Sequence, residues 1–394
     1  MIAAAFFQHI WECIESRWNI DRLDFKDAFY SNNIYKWIAF TWVIAVPCAI
    51  ASDSESLEIA QETNIHCLIQ EELAYSDSAA TCDSKSGANE IWEISTRHLP
   101  QNGCRAPLDA SNFRVSRWQS DRGWIESSFE QYLASIRGSE SGTGENNIAS
   151  SELHNIVYVH GNWMPADLTR ERGLLISRYL AQRDHLPFRF TIFSWPSTRE
   201  KHALADVREN AIVAEVQGLY LASFLQHMPA ERPLGIIGFS YGARAVTGAL
   251  HALGGGTLCG RTVTATTYPR EIRISLMAAA IDRGWLLEGG RHQFASQRIT
   301  SIVNLYNSND PVLRRYHLIS TSSRATAAGV AGLVLPRNWL NLPPAEGTSV
   351  ATPNYVRLQQ FDCRSQLGRS HDERSYYREC SCTIHLMDHV LWND

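Results

Sequence analysis

From residue 154 onward, short uninterrupted apolar runs alternate with longer stretches of helical periodicity, and no other feature narrows the fold as much. The runs are residues 156–159, 190–193, 234–237, 272–277, 299–306 and 355–361. Between them lie helical stretches at 166–183, 202–227 and 243–253, a less regular connection after 281 and a loop-rich span from 320 to 352. A strand that is apolar at every position has both faces covered, whereas a half-exposed strand alternates. Strands joined by helical crossovers run parallel, so the expected fold is α/β, a three-layer α/β/α sandwich with a mostly parallel central sheet. Ahead of this region, residues 91–94 read as a further strand within a hairpin-and-helix region, and the polar, glycine-containing residues 138–151 as a surface loop.

The first 89 residues have a different character. Residues 37–51 are uncharged and apolar, follow Lys36, and end in Ala49-Ile50-Ala51, the small-x-small pattern of a signal peptidase site. The run is shorter than the roughly 20 residues a spanning helix needs. Residues 1–51 are therefore expected to be a leader for export, residues 52–89 a polar linker or pro-segment, and residues 90–394 the folded domain. The acidic residues before Lys36, Glu12, Glu15, Asp21, Asp24 and Asp27 among them, are atypical of a short positive leader.

With a formal charge of −5, the chain lacks the clustered Lys and Arg that phosphate neutralisation requires, which excludes a nucleic-acid partner. No Gly-x-Gly-x-x-Gly or Walker loop follows any apolar run, which excludes the common nucleotide-binding loops. Membrane contact is expected only through the N-terminal apolar segment. Seven of the nine cysteines follow residue 51, an odd number from which no pairing can be read.

The chemistry is concentrated at Leu234-Gly-Ile-Ile-Gly238-Phe-Ser240-Tyr-Gly242, a buried strand running through Gly-x-Ser-x-Gly into a helix rich in small residues. Five residues of pattern are weak evidence alone, but this setting is specific. A serine at a sharp strand-to-helix corner takes strained backbone angles, its neighbouring glycines admit close chains, and its hydroxyl projects at a helix N-terminus where negative charge is favoured. Upstream, Asn155-Ile-Val-Tyr-Val159 runs into His160-Gly161-Asn162-Trp163, and the next strand closes with Phe193-Ser-Trp-Pro-Ser197.

This succession of His-Gly, Phe-Ser-Trp-Pro-Ser and Gly-x-Ser-x-Gly resembles the esterase and lipase branch of the α/β-hydrolase superfamily over about residues 150–375. The resemblance implies Ser240 as nucleophile, with backbone N–H groups of Asn162 (or Gly161) and Tyr241 forming an oxyanion hole. It also implies the chain order Ser, acid, His. Asp310, at the end of a strand and before Pro311, is the expected acid, with Asp282 as its rival one strand earlier. His371, on a Gly-containing loop past the last strand, is the expected base, with His385 and His389 as alternatives; His160 is expected to be structural. Trp163, Trp195 and Tyr241 are expected to line the pocket mouth.

The implied activity is two-step acyl transfer on a small-molecule or lipid-like ester, with no cofactor and no metal. Cys380, Cys382, His385 and His389 form a Cys-x-Cys-x-x-His-x-x-x-His string, but its first spacing is tighter than common zinc patterns and export favours disulfides. The competing function is a non-catalytic interaction protein that keeps the scaffold. A third reading, a membrane-tethered lipase, rests on the apolar leader alone.

Overall fold

The computed structural model describes residues 89–102, 107–137, 153–183, 187–198, 203–263, 271–320, 324–335 and 357–392. The leader and its cleavage point, nearly all of the linker and the loop at 138–151 lie outside these residues. Among the described residues, no helix is long and apolar enough to cross a membrane.

The elements begin with β1 (Glu90–Ser95), the hairpin β2 (Arg114–Gln119) and β3 (Gly123–Ser127), and α1 (Phe129–Arg137). Then come β4 (His154–Val159), α2 (Ala166–Arg183), β5 (Phe188–Ser194), α3 (Ala203–Leu225), β6 (Leu234–Phe239) and α4 (Tyr241–Leu253). A small hairpin, β7 (Thr257–Leu258) and β8 (Arg261–Thr262), precedes β9 (Ile272–Met277), β10 (Ser301–Tyr306) and α5 (Ala328–Ala331). The chain closes with β11 (Leu358–Asp362), α6 (Arg364–Leu367), α7 (Glu373–Glu379) and α8 (Thr383–Leu391).

Among the described residues, nine strands form one sheet in the order β3-β2-β1-β5-β4-β6-β9-β10-β11. All pairings from β1 to β11 are parallel; β2 and β3 add an antiparallel edge. Every residue of β5, β6 and β9 is buried. That is the physical origin of the unbroken apolar runs, because helices cover both faces. On β6 a methyl group added at Gly235 would strike Val390 of α8, while one at Gly238 would meet Ala243 of α4, and residues three apart on a strand point to opposite faces. On the α4 side α3 packs over α4, and on the other side α8 lies against β9, β10 and β6 beside α2.

Strand ends place the chemistry. β4, β6, β10 and β11 all run the same way, so the segments leaving their C-terminal ends gather at one edge of the sheet, where open α/β sheets bind ligands. Those segments carry residues 160–163, Ser240, Asp310 and His371.

Candidate active site

Ser240 stands between β6 and α4 with φ 50° and ψ −114°, a conformation that costs a non-glycine residue about 1–3 kcal/mol. Two constraints hold it there. Its N–H donates to the Met277 carbonyl at 2.9 Å, and its own carbonyl accepts from Ala280 N–H at 3.1 Å, which stitches the corner to the end of β9. A Cβ at position 242 would lie 2.0 Å from the Val159 carbonyl oxygen, so only glycine lets α4 start this close to the end of β4.

The Ser240 Oγ lies 3.3 Å from His371 Nε2, a long hydrogen bond of the kind that tightens when substrate binds. The other ring nitrogen, Nδ1, lies 2.5 Å from Asp310 Oδ2. Asp310 is fully buried, whereas the His371 side chain is 20% exposed, so the acid is shielded and the base faces the solvent side of the site. The Phe239 ring packs against the imidazole with centroids 5.6 Å apart.

The loop bearing His371 is tied to the segment that leads from β10 to Asp310 by Asn307, whose side-chain amide donates to the carbonyls of Gly368 (3.2 Å) and Ser370 (3.0 Å). Beneath that loop sits Glu373, which accepts from Tyr158 Oη at 2.9 Å with Arg172 4.0 Å away. Burial raises its carboxyl to about 7 against the opposing pull of Arg172 and Tyr158.

The His160–Trp163 turn overhangs the serine: a Cβ at Gly161 would lie 3.2 Å from Ser240 Cβ and 2.7 Å from the Phe239 ring. His160 is fully buried, with Nδ1 2.8 Å from the Gly161 carbonyl and Nε2 accepting from Trp195 N–H at 3.0 Å. Burial, helped by Arg97, holds its pKa well below 6.5, so the ring is a neutral strut with its proton on Nδ1. Arg97 braces the same turn through the Met164 carbonyl (2.7 Å) and Thr169 Oγ1 (2.9 Å). From α3, Asn210 donates to Asn162 Oδ1 at 2.8 Å, and Asp206 accepts from the Trp163 indole N–H. Trp163 itself has φ 55° and is 40% exposed. Tyr241 is the first residue of α4, where backbone N–H groups have no intrahelical acceptor.

The structure thus brings Ser240, His371 and Asp310 into one hydrogen-bonded line, with Gly161 against the serine. The rivals are occupied elsewhere. Asp282 accepts from the N–H groups of Gly284 (2.9 Å) and Thr326 (3.1 Å) and closes a turn. His389 is buried between Ser275 Oγ (3.0 Å) and Ser301 Oγ (2.7 Å), and His385 stacks on Phe361. Two aromatic residues expected at the pocket mouth lie in the core instead. Trp195 is fully buried, stacked on His160 with its indole N–H on the His160 carbonyl. The Tyr241 ring is buried with its hydroxyl on the Val207 carbonyl.

Arg97, Asp206, Asn210 and Asn307 were not singled out from sequence. Only Asn307 carried a local signal, as a polar residue directly after the strand that leads to Asp310.

No family model and no curated protein matches this chain. Among solved structures, it is similar to inhibited esterase B from Lactobacillus rhamnosis, at 10% identity over 64% of this chain and 80% of that one, with a TM-score of 0.25. A second structure of the same enzyme, inhibited by a tributyrin phosphonate, matches at 10% identity over 64% and 79%, with a TM-score of 0.23.

Proposed function

We propose that this chain is a serine hydrolase of the α/β-hydrolase type that cleaves an ester-like bond through an acyl-enzyme. The observation that carries the reading is the line Ser240 Oγ, His371 Nε2, His371 Nδ1, Asp310 Oδ2, with spacings of 3.3 and 2.5 Å, anchored on a serine in a strained corner. A hydroxyl is a weak nucleophile until a base removes its proton, and an imidazole held by a buried carboxylate supplies that base.

In this mechanism Ser240 Oγ attacks the acyl carbon as its proton passes to His371 Nε2. The tetrahedral oxyanion is held by the backbone N–H groups of Asn162 and Tyr241, and Asp310 stabilises the imidazolium. His371 then protonates the leaving alkoxide, and a water activated by the same nitrogen releases the acid. In this reading the exposed Trp163 contacts the acyl group. Export through residues 1–51 belongs to the same proposal, and a mature N-terminus at Ser52, read by mass spectrometry of the secreted protein, is its signature.

A fluorophosphonate probe tests the reading directly. Wild type is expected to be labelled and Ser240→Ala to be silent; a folded wild type that resists labelling leaves only the non-catalytic scaffold.

A further inference from the structure

Four cysteines lie among the described residues, all as free thiols, and three of them converge. The sulfurs of Cys363, Cys380 and Cys382 are all within 4.8 Å of one another. They come from three helix ends: Cys363 immediately precedes α6, Cys380 immediately follows α7 and Cys382 immediately precedes α8. The segment between the first and the second contains His371.

We propose that Cys363, Cys380 and Cys382 form a three-thiolate site for a thiophilic metal ion of the zinc class, which clamps the base of the loop that carries His371. The donor set is entirely sulfur, which suits zinc or copper(I) and disfavours magnesium and calcium. Cys363 and Cys380 are buried, while Cys382 is half-buried; a water is the expected fourth ligand of a tetrahedral ion. A surface hollow of about 300 Å³, bordered by Tyr179, Arg183, Tyr377, Cys380 and Ile384, adjoins the cluster and offers a path in.

Three adjacent thiolates repel one another, and a divalent ion offsets that repulsion. Binding displaces one proton from each thiol, giving a tris-thiolate and three H⁺ with no change in oxidation state.

The string of Cys380, Cys382, His385 and His389 read from sequence is not the donor set. His389 spends both ring nitrogens on Ser275 and Ser301, and Cys363, seventeen positions before Cys380, takes its place. The inference is independent of the hydrolase reading, because it needs neither Ser240 nor a substrate; it does need reduced thiols, and so stands against export to an oxidising compartment, where such close cysteines pair.

Cobalt(II) is the probe, added to the full-length, reduced, metal-stripped protein. One equivalent is expected to produce a thiolate-to-cobalt charge-transfer band and the visible bands of a tetrahedral site, both bleached by zinc. Cys363→Ser and Cys380→Ser are expected to lose these bands and Cys382→Ser to weaken binding at least about 10-fold. Joint replacement of Cys13, Cys48, Cys67, Cys82, Cys104 and Cys259 by Ser is expected to leave the bands intact. Should the buried variants misfold, wild type supplies the test: zinc is expected to protect residues 363, 380 and 382 from alkylation, mapped by peptide mass spectrometry. No cobalt band in wild type, a band that follows the other six cysteines, or alkylation indifferent to zinc overturns the site.

Discussion

Asp310 divides its carboxylate between two tasks, with Oδ2 2.5 Å from His371 Nδ1 and Oδ1 accepting the N–H groups of Val312 (2.8 Å) and Leu313 (3.0 Å). The backbone bonds fix the carboxylate plane, so the oxygen facing the imidazole has little freedom. Replacing Asp310 by Asn keeps an oxygen for the two N–H groups but turns an amide toward His371. The amide donates to Nδ1 and drives the ring proton to Nε2, where it cannot accept from Ser240. In the proposed mechanism kcat for an ester falls on the order of 10⁴-fold with the fold retained. Steady-state kinetics with a thermal melt check this; a folded variant that loses less than about 10-fold removes Asp310 from the mechanism.

Asn307 acts on the same pair from behind. Its amide holds the Gly368 and Ser370 carbonyls, and through them the approach of His371 to Asp310. Asn307→Ala leaves both carbonyls short of a donor, which costs about 1–3 kcal/mol, and lets the loop drift. The expected kinetic signature is a fall in kcat of about 10-fold or more with KM little changed, because the residue positions the base and touches no substrate. A fall in stability with unchanged kcat would make Asn307 a purely structural residue.

The oxyanion turn depends on α3 in a comparable way. Asn210 holds Asn162 Oδ1 at 2.8 Å and also reaches Asp206 Oδ2 at 3.3 Å, the carboxylate that receives the Trp163 indole. Asn210→Ala frees the Asn162 side chain and so the aim of its backbone N–H. Removing an oxyanion donor outright costs about 10²–10³ in turnover, and misaiming one is expected to cost about 10-fold, in kcat rather than KM. An unchanged kcat for this variant would place the oxyanion donor elsewhere on the turn.

The sheet was legible because burial writes itself locally. Residues 272–277 and 166–183 have the same bounds in the sequence reading and in the structure, since a fully covered parallel strand and a long helix each impose their own pattern. Of the last strand expected at 355–361, residues 355 and 356 lie outside the described residues; β11 covers 358–362 and is a half-buried edge, whose apolar signal is diluted. The parallel pairing of β1 with β5 joins residues about 100 apart and leaves no local trace. Polar supports were hidden for the same reason: Arg97 and Asn210 acquire meaning only when the turn after β4 folds between them. Trp195 was misplaced because a strand-end aromatic reads alike whether its ring points to the mouth or, as here, onto His160.

Glu373 predicts a pH dependence of stability whose sign follows from its burial. Arg172, 4.0 Å away, is too distant to offset desolvation, and the carboxyl rises from the ordinary 4.5 to about 7. Between those values the folded protein keeps a proton that the unfolded chain has lost, so the contribution is fully present below 4.5 and is lost as pH rises through 7. The separation corresponds to about 3 kcal/mol. Glu373→Gln retains an acceptor for the Tyr158 hydroxyl but cannot ionise. Relative to wild type, the variant should therefore gain about 3 kcal/mol on going from about pH 4 to about pH 8, read by denaturant unfolding at each pH. A stability difference that stays flat across that range would mean that Glu373 is ionised in the folded protein, with Arg172 close enough in solution to hold its charge.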